Sequence, residues 1–257
     1  MLRTDLAIDK EEIKNGIIPE IKKGGIKVYK SLEKEEKHIT ISFPQPDLIS
    51  DTSDIEEEII SALNEMMPEK YEKLLVVGLG NSEITPDSIG PYTASRLLAT
   101  RHIAGEFADK IGLKNLRSVS VIAPNVLGKT GIEAAEIIVG VVEKVKPQAV
   151  IVIDALASSN IGRLFRTIQF CNTGISPGSG VKNSRKEISF KTLGVPTIAL
   201  GVPTVVDVGK IGLKDTEMVV TPKDVDLLSE KVSEIMARGI NFFLQPQIER
   251  EIIMSLV

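Results

Sequence analysis

The 257-residue chain has one cysteine, two histidines and no tryptophan, and aromatic residues make up only 4% of it. A lone Cys171 excludes an internal disulfide framework and a metal cage built from cysteines. With only His38 and His102 in the chain, a Ser–His–Asp triad has just two bases to draw on. No apolar run approaches the ~18 residues that a transmembrane helix needs. The opening Met1-Leu2-Arg3-Thr4-Asp5 has an acid early and no long apolar stretch, unlike a secretory signal. A surplus of positive charge is missing too. Lys and Arg number 31 against 35 Asp and Glu, a net charge of -4, which argues against binding nucleic acid through overall charge. What is present is a hydrophobic fraction of 42%, enough for a real core and too much for a disordered chain. The simplest reading is one cytoplasmic domain over residues 1–257 that neither enters a membrane nor binds nucleic acid directly.

Residues 1–50 read as a polar, broken N-terminal extension. Within it Lys22 to Gly25 reads as a turn, Ser31 to Lys37 as a solvated charge run, and His38 to Phe43 alternates like a strand. Ser53-Asp54-Ile55-Glu56 has the spacing of a capping box, and Ile55, Ile59, Ile60, Leu63 and Met66 recur at helical spacing behind it. Leu74 to Leu79 reads as a buried strand, residues around 87–104 as a helix, Ser118 to Ala123 as a strand and Gly131 to Val145 as a helix. Ala149 to Ile153 has the texture of a strand buried on both faces. Phe165 to Phe170 alternates like a strand nearer an edge, and Thr197 to Gly201 is one more strand. Thr221-Pro222 predicts the start of a helix that Gly239 stops. Strands alternating with helices point to an α/β fold, a three-layer αβα sandwich with a mainly parallel central sheet.

In such sheets, ligands gather at the carboxyl ends of the strands. Asp87 follows the first strand and Asp154 follows the third, so both belong to one rim if the strands run parallel. Two carboxylates held close share a proton, and such a pair can activate a water and protonate a leaving amine. An Asp closing a strand is also commonly a turn former or helix cap, and this second reading stays open. Ala123 to Thr130 follows a strand and opens a helix, the setting of a phosphate-binding loop. Gly128-Lys129-Thr130 with Asp154 would then make a P-loop-like NTPase, although Ala123 replaces the first glycine and Pro124 removes a donor. Ser176 to Gly180 is a loop rich in glycine and serine, followed by Lys182, Arg185 and Lys186. It suits an acidic peptide or a plain surface turn. His102 reads as a surface residue and Cys171 as a small buried hydrophobe.

An ordered set of motifs, spread over almost the whole chain, resembles the germination protease family of spore-forming bacteria. It comprises Arg3 to Ala7, Val77 to Asn81, Thr85-Pro86-Asp87, Gly90-Pro91, Thr130 to Glu133, Ile153 to Ala157, Asn172 to Ile175, Pro177 to Val181, Arg185 to Glu187, Pro203 to Asp207 and Val220 to Lys223. The resemblance implies an endopeptidase that degrades small acid-soluble spore proteins during germination. It puts the catalytic carboxylates on Asp87 and Asp154, and implies no metal and no other cofactor. It further implies a homo-oligomer, a homotetramer in the family, working in the spore core. The related fold is that of the hydrogenase maturation proteases, of the phosphorylase/hydrolase-like kind. Those relatives hold a metal, so a metal-binding maturation-type protease is a further alternative. Zymogen trimming in the family maps to Asp5–Leu6. Only Met1 to Asp5 would precede that cut here, and the Val208 to Val219 connection is short, so zymogen control and assembly are both expected to differ. The N-terminal segment is expected to be mobile and accessible.

Overall fold

The computed structural model describes residues 18–46, 49–69, 71–105, 115–178, 185–207 and 218–256, and the single residues 6, 8, 108, 110 and 113. The chain opens with three antiparallel strands, β1 (Glu20–Ile21), β2 (Lys27–Glu33) and β3 (Glu36–Ser42). Residues 20–42 are thus largely regular where an irregular extension is expected. The charge run is not a free loop but the tip of the β2–β3 hairpin. Its charges sit on exposed edges, and Lys30 and Lys37 both reach Glu65.

The amphipathic helix α1 (Ser53–Met66) follows, burying Ile55, Ile59, Ala62, Leu63 and Met66. Its cap differs from the expected box: Thr52 Oγ1 donates to Glu56 at 2.6 Å, and Ser53 is already the first helical residue. Next come β4 (Lys73–Gly78), α2 (Ile89–Ala94) and β5 (Ser118–Ile122). The helix expected over 87–104 ends early because its backbone finds other partners. Leu98 N–H donates to the Asn241 side chain, and Thr100 and Arg101 N–H donate to the Val119 carbonyl.

A single turn α3 (Leu127–Thr130) precedes α4 (Ala134–Val145), then β6 (Ala149–Ser158) and β7 (Thr167–Cys171). The chain closes with α5 (Phe190–Leu193), β8 (Thr197–Asp207), β9 (Val219–Val220), α6 (Val225–Leu244) and α7 (Arg250–Leu256). Gly239 does not stop α6. It lies inside the helix, where an added Cβ would sit 2.9 Å from Ile59 Cγ2, so the glycine lets α6 cross α1 closely. Nor does Thr221 cap that helix: its hydroxyl donates to the Thr204 carbonyl and ties the chain to β8.

The nine strands form one sheet in the order β1-β2-β3-β7-β8-β6-β4-β5, with β9 on β8. β8, β6, β4 and β5 are parallel, as the alternating pattern predicts, and the sheet continues past β8 as an antiparallel half. β7 is therefore interior, paired with β3 on one side and β8 on the other. One face packs Leu74, Val76, Ile151 and Ile153 against α1 and α6; the other packs Leu75, Val77, Val150 and Val152 against α4. This is the three-layer α/β arrangement. Among the described residues, no helix is long and apolar enough to cross a membrane.

Candidate active site

The rim of the parallel half is assembled by close backbone crossings. Leu79 N–H donates to the Ile153 carbonyl at 2.8 Å and staples the exit of β4 to β6, one residue before Asp154. α2 then runs back across this staple. A Cβ on Gly90 would lie 2.1 Å from the Leu79 oxygen and 2.6 Å from the Ile153 oxygen, and one on Gly78 would lie 2.2 Å from the Gly90 oxygen. Only glycine at both positions allows backbone to touch backbone here.

Asp87 lies in the 3-10 turn Thr85–Asp87 that leads into α2. The Asn81 N–H donates to its Oδ2 at 2.9 Å, and Thr204 Oγ1 on β8 donates to the Pro86 carbonyl at 2.6 Å. From α6, Ser229 donates to the Thr85 carbonyl at 3.3 Å. Three separate elements thus hold the turn. Burial pushes the Asp87 carboxyl above the usual aspartate range, and the Asn81 N–H only partly opposes this.

Asp154 is 5% exposed and lies within β6, opposite Gly201 of β8. Its Oδ1 accepts the Ala155 N–H at 2.9 Å. Its row across the sheet continues through Gly201 and Gln169 to Thr40, so Asp154, Gln169 and Thr40 share one sheet face. Such a row of buried polar side chains is uncommon on a core-facing surface.

Asp87 and Asp154 line the same pocket of about 510 Å³, together with Asn125, Glu133, Arg185 and Lys186. Arg185 Nη1 lies 3.7 Å from Glu133 Oε1. The loop rich in glycine and serine contributes Pro177 and Gly178 to the pocket; Ser179, Gly180 and Lys182 lie outside the described residues. The pocket therefore offers three carboxyls, Asp87, Asp154 and Glu133, beside two cations, Arg185 and Lys186. His102 is exposed, as its sequence context indicates.

The phosphate-loop reading finds no cradle. Lys129 pairs with Glu83 rather than lining the pocket. Gly131 in the left-handed region ends α3, so the loop does not run directly into α4. Near the N-terminus, Leu6 is fully buried and packs with Ile8 and Leu156, beside the pocket, so its side chain is not accessible. Its apolar side chain finds a matching seat on Leu156. Met1 to Asp5 lie outside the described residues, and with them Asp5, the other half of the expected processing site.

Sequence reading missed a second cluster. His38 on β3 and Cys171 on β7 are direct cross-strand partners, and Glu36 lies two residues before His38 on the same face. His38 Nε2 is 2.9 Å from Glu36 Oε1, and Cys171 Sγ is 3.8 Å from that oxygen and 3.0 Å from Thr173 Oγ1. Burial disfavours the charged imidazole, but Cys171 and Glu36 outweigh it and hold the ring above the ordinary histidine value. Cys171 is buried as expected, but it is not merely a small hydrophobe. The missing signal was the pairing of two strands more than 120 residues apart.

The sequence model of the germination protease family matches residues 47–216. The chain is 40% identical to a germination protease of Clostridium tetani, over 99% of this chain and 98% of that one. A germination protease of Caldanaerobacter subterraneus is 39% identical over 95% and 94%, and one of Clostridium acetobutylicum 41% identical over 82% and 79%. Among solved structures, a [NiFe] hydrogenase maturation protease from Thermococcus kodakarensis overlaps 71% of this chain and 98% of its own, at 15% identity and a TM-score of 0.36.

Proposed function

Because the chain belongs to the germination protease family, we propose that it is an endopeptidase whose Asp87 and Asp154 handle the proton transfers of peptide hydrolysis, with small acid-soluble spore proteins as substrates. The peptidase activity follows from the family; the acid pair and the substrate are the proposal. The observation that carries it is the shared pocket, which Asp87, in the turn beyond β4, and Asp154, within the neighbouring parallel strand β6, both line.

The raised Asp87 carboxyl supports one division of roles. Half-buried Asp87, its carboxyl pushed above the usual aspartate range by desolvation, keeps its proton to higher pH and is the acid that protonates the leaving amine. Asp154, which lines the same pocket from the neighbouring strand, takes the proton from the attacking water in this reading. After one turnover the proton has moved from Asp87 to the amine and from water to Asp154, and exchange through solvent resets the pair. Arg185 and Lys186 would draw acidic side chains of the substrate into the pocket. Processing at Asp5–Leu6, assembly as a homotetramer and residence in the spore core belong to the same proposal and rest on the family alone.

The test is Asp87→Asn and Asp154→Asn, each assayed on a purified small acid-soluble spore protein. An amide neither gives nor takes the proton, so each variant should lose ~10²–10⁴-fold in kcat/KM with an unchanged far-UV spectrum. Activity within a few fold of wild type in either variant removes that residue from the mechanism.

A further inference from the structure

The strand pairing that brings Glu36, His38 and Cys171 together places a carboxylate oxygen, an imidazole nitrogen and a sulfur all within 4.8 Å of one another. We propose that these three side chains form a binding site for one thiophilic divalent cation of the zinc type, separate from the acid pair. The donor set is the first argument. Carboxylate, imidazole and thiolate are the three side-chain ligands that zinc takes, and thiolate with imidazole selects such ions over magnesium or calcium.

Charge is the second argument. A neutral imidazole, one carboxylate and one thiolate exactly balance a dipositive ion. On binding, the Cys171 S–H proton passes to solvent and the sulfur takes up the metal bond, so a half-covered site carries no net charge. The third argument is an unmet need. His38 Nδ1 is buried and has no hydrogen-bond partner, although the ring's Nε2 is paired with Glu36. Buried ring nitrogens are seldom left so. A cation bound at Nδ1 gives that nitrogen the partner it lacks, while Nε2 keeps its contact with Glu36.

Rigidity is the fourth. Both strands are interior to the sheet, and the His38–Cys171 register is fixed by the pairs Ile39–Phe170 and Ile41–Ile168. The Thr173 hydroxyl, 3.0 Å from Sγ and 3.4 Å from Glu36 Oε1, is placed to hydrogen-bond the ligands themselves. Three protein ligands leave the fourth position of a tetrahedral ion to water. The cluster shares a sheet face with Asp154, but its nearest member, Cys171, lies two strands and two residues away, about 12 Å by ordinary strand spacing and rise, and His38 and Glu36 lie a strand farther. It is therefore a clip that fastens the N-terminal hairpin to the central sheet rather than a participant in hydrolysis.

The experiment titrates cobalt(II), and then zinc(II) in competition, into the full-length protein kept reduced and freed of metal by chelator. One equivalent of cobalt should give a thiolate-to-metal charge-transfer band in the near ultraviolet, which zinc abolishes. Tm should rise with zinc and fall back with chelator. Cys171→Ser should remove the band, and Glu36→Gln should weaken binding by at least the ~10–100-fold typical of disturbing a metal site. Glu36 is half-exposed on the hairpin, so Glu36→Gln keeps the fold and decides the question if Cys171→Ser does not fold. Absence of a saturable band, a band that survives Cys171→Ser, or unchanged affinity in Glu36→Gln would each overturn the proposal.

Discussion

Replacing Gly90 by alanine should damage the candidate active site without touching either carboxylate. The methyl group would sit 2.1 Å from the Leu79 oxygen, 2.6 Å from the Ile153 oxygen and 2.6 Å from the Leu79 nitrogen. Ordinary contact begins near 3.4 Å, so about 1.3 Å of separation must be found. All three neighbours are backbone, so no side-chain rotation relieves the clash. Either α2 lifts and carries Asp87 with it, or the Leu79–Ile153 staple opens and the end of β6 moves. In both cases Asp87 and Asp154 shift relative to each other by about an ångström, enough to cost ~10²-fold in catalysis. Overpacking of this kind costs ~1–3 kcal/mol, several degrees in Tm for a chain of this size. The matched control is Gly140→Ala on α4, where an added Cβ meets nothing within 4 Å. There the better helix propensity of alanine should raise stability by up to ~1 kcal/mol and leave activity alone. Steady-state kcat/KM and thermal melts on both variants check this. If Gly90→Ala keeps wild-type activity and Tm, the close crossing does not set the geometry of the acid pair.

Three other outcomes are expected. Asp87 has a carboxyl pKa raised by burial, so the native state holds its proton to higher pH than the unfolded chain does. The stability it contributes is full below the ordinary aspartate range and is lost as pH rises through the native value. Asp87→Asn should therefore raise Tm at neutral pH and make no difference in strong acid, as melts across pH would reveal; a lowered Tm at pH 7 contradicts it. Lys129→Ala should leave proteolysis within about twofold, because Lys129 pairs with Glu83 outside the pocket; ATP binding that vanishes in this variant would revive the nucleotide reading. Asn241 is fully buried, accepts from Leu98 N–H and donates to the Arg96 carbonyl. Asn241→Leu leaves both backbone groups unpaired, at ~1–3 kcal/mol each, and denaturant melts should show the loss.

Local patterns gave away the parts of the fold where neighbours in sequence are neighbours in space. The parallel core was readable because Leu74 to Val77 and Ala149 to Ile153 are apolar on both faces, and only a covered sheet accommodates that. That Asp87 and Asp154 line one pocket then followed from strand direction, although Asp154 lies inside β6 rather than after it. What could not be read depends on distant partners. Gly239 looks like a helix stop until Ile59 is placed against it, and the chain beyond Ala94 looks helical until Asn241 and Val119 take its N–H groups. The charges of the hairpin tip hid β2 and the first residues of β3, because exposed edges tolerate any polar residue. The Glu36–His38–Cys171 cluster exists only through the β3–β7 register, which no local period encodes.

The same register explains why the antiparallel half is more than an addition to a parallel core. A parallel sheet ending at β8 would leave the Asp154 face open on that side, with Gly201 offering no side chain to close it. β7 and β3 extend the row with Gln169 and Thr40, both buried, so Asp154 lies in a polar strip rather than at an apolar margin. The turn holding Asp87 instead places one N–H on its carboxyl, which desolvation still pushes above the usual aspartate range. The two aspartates thus sit in different settings, one in the polar row of an extended sheet and the other in a glycine-packed turn. The proposed division into proton donor and proton acceptor draws on that difference of setting.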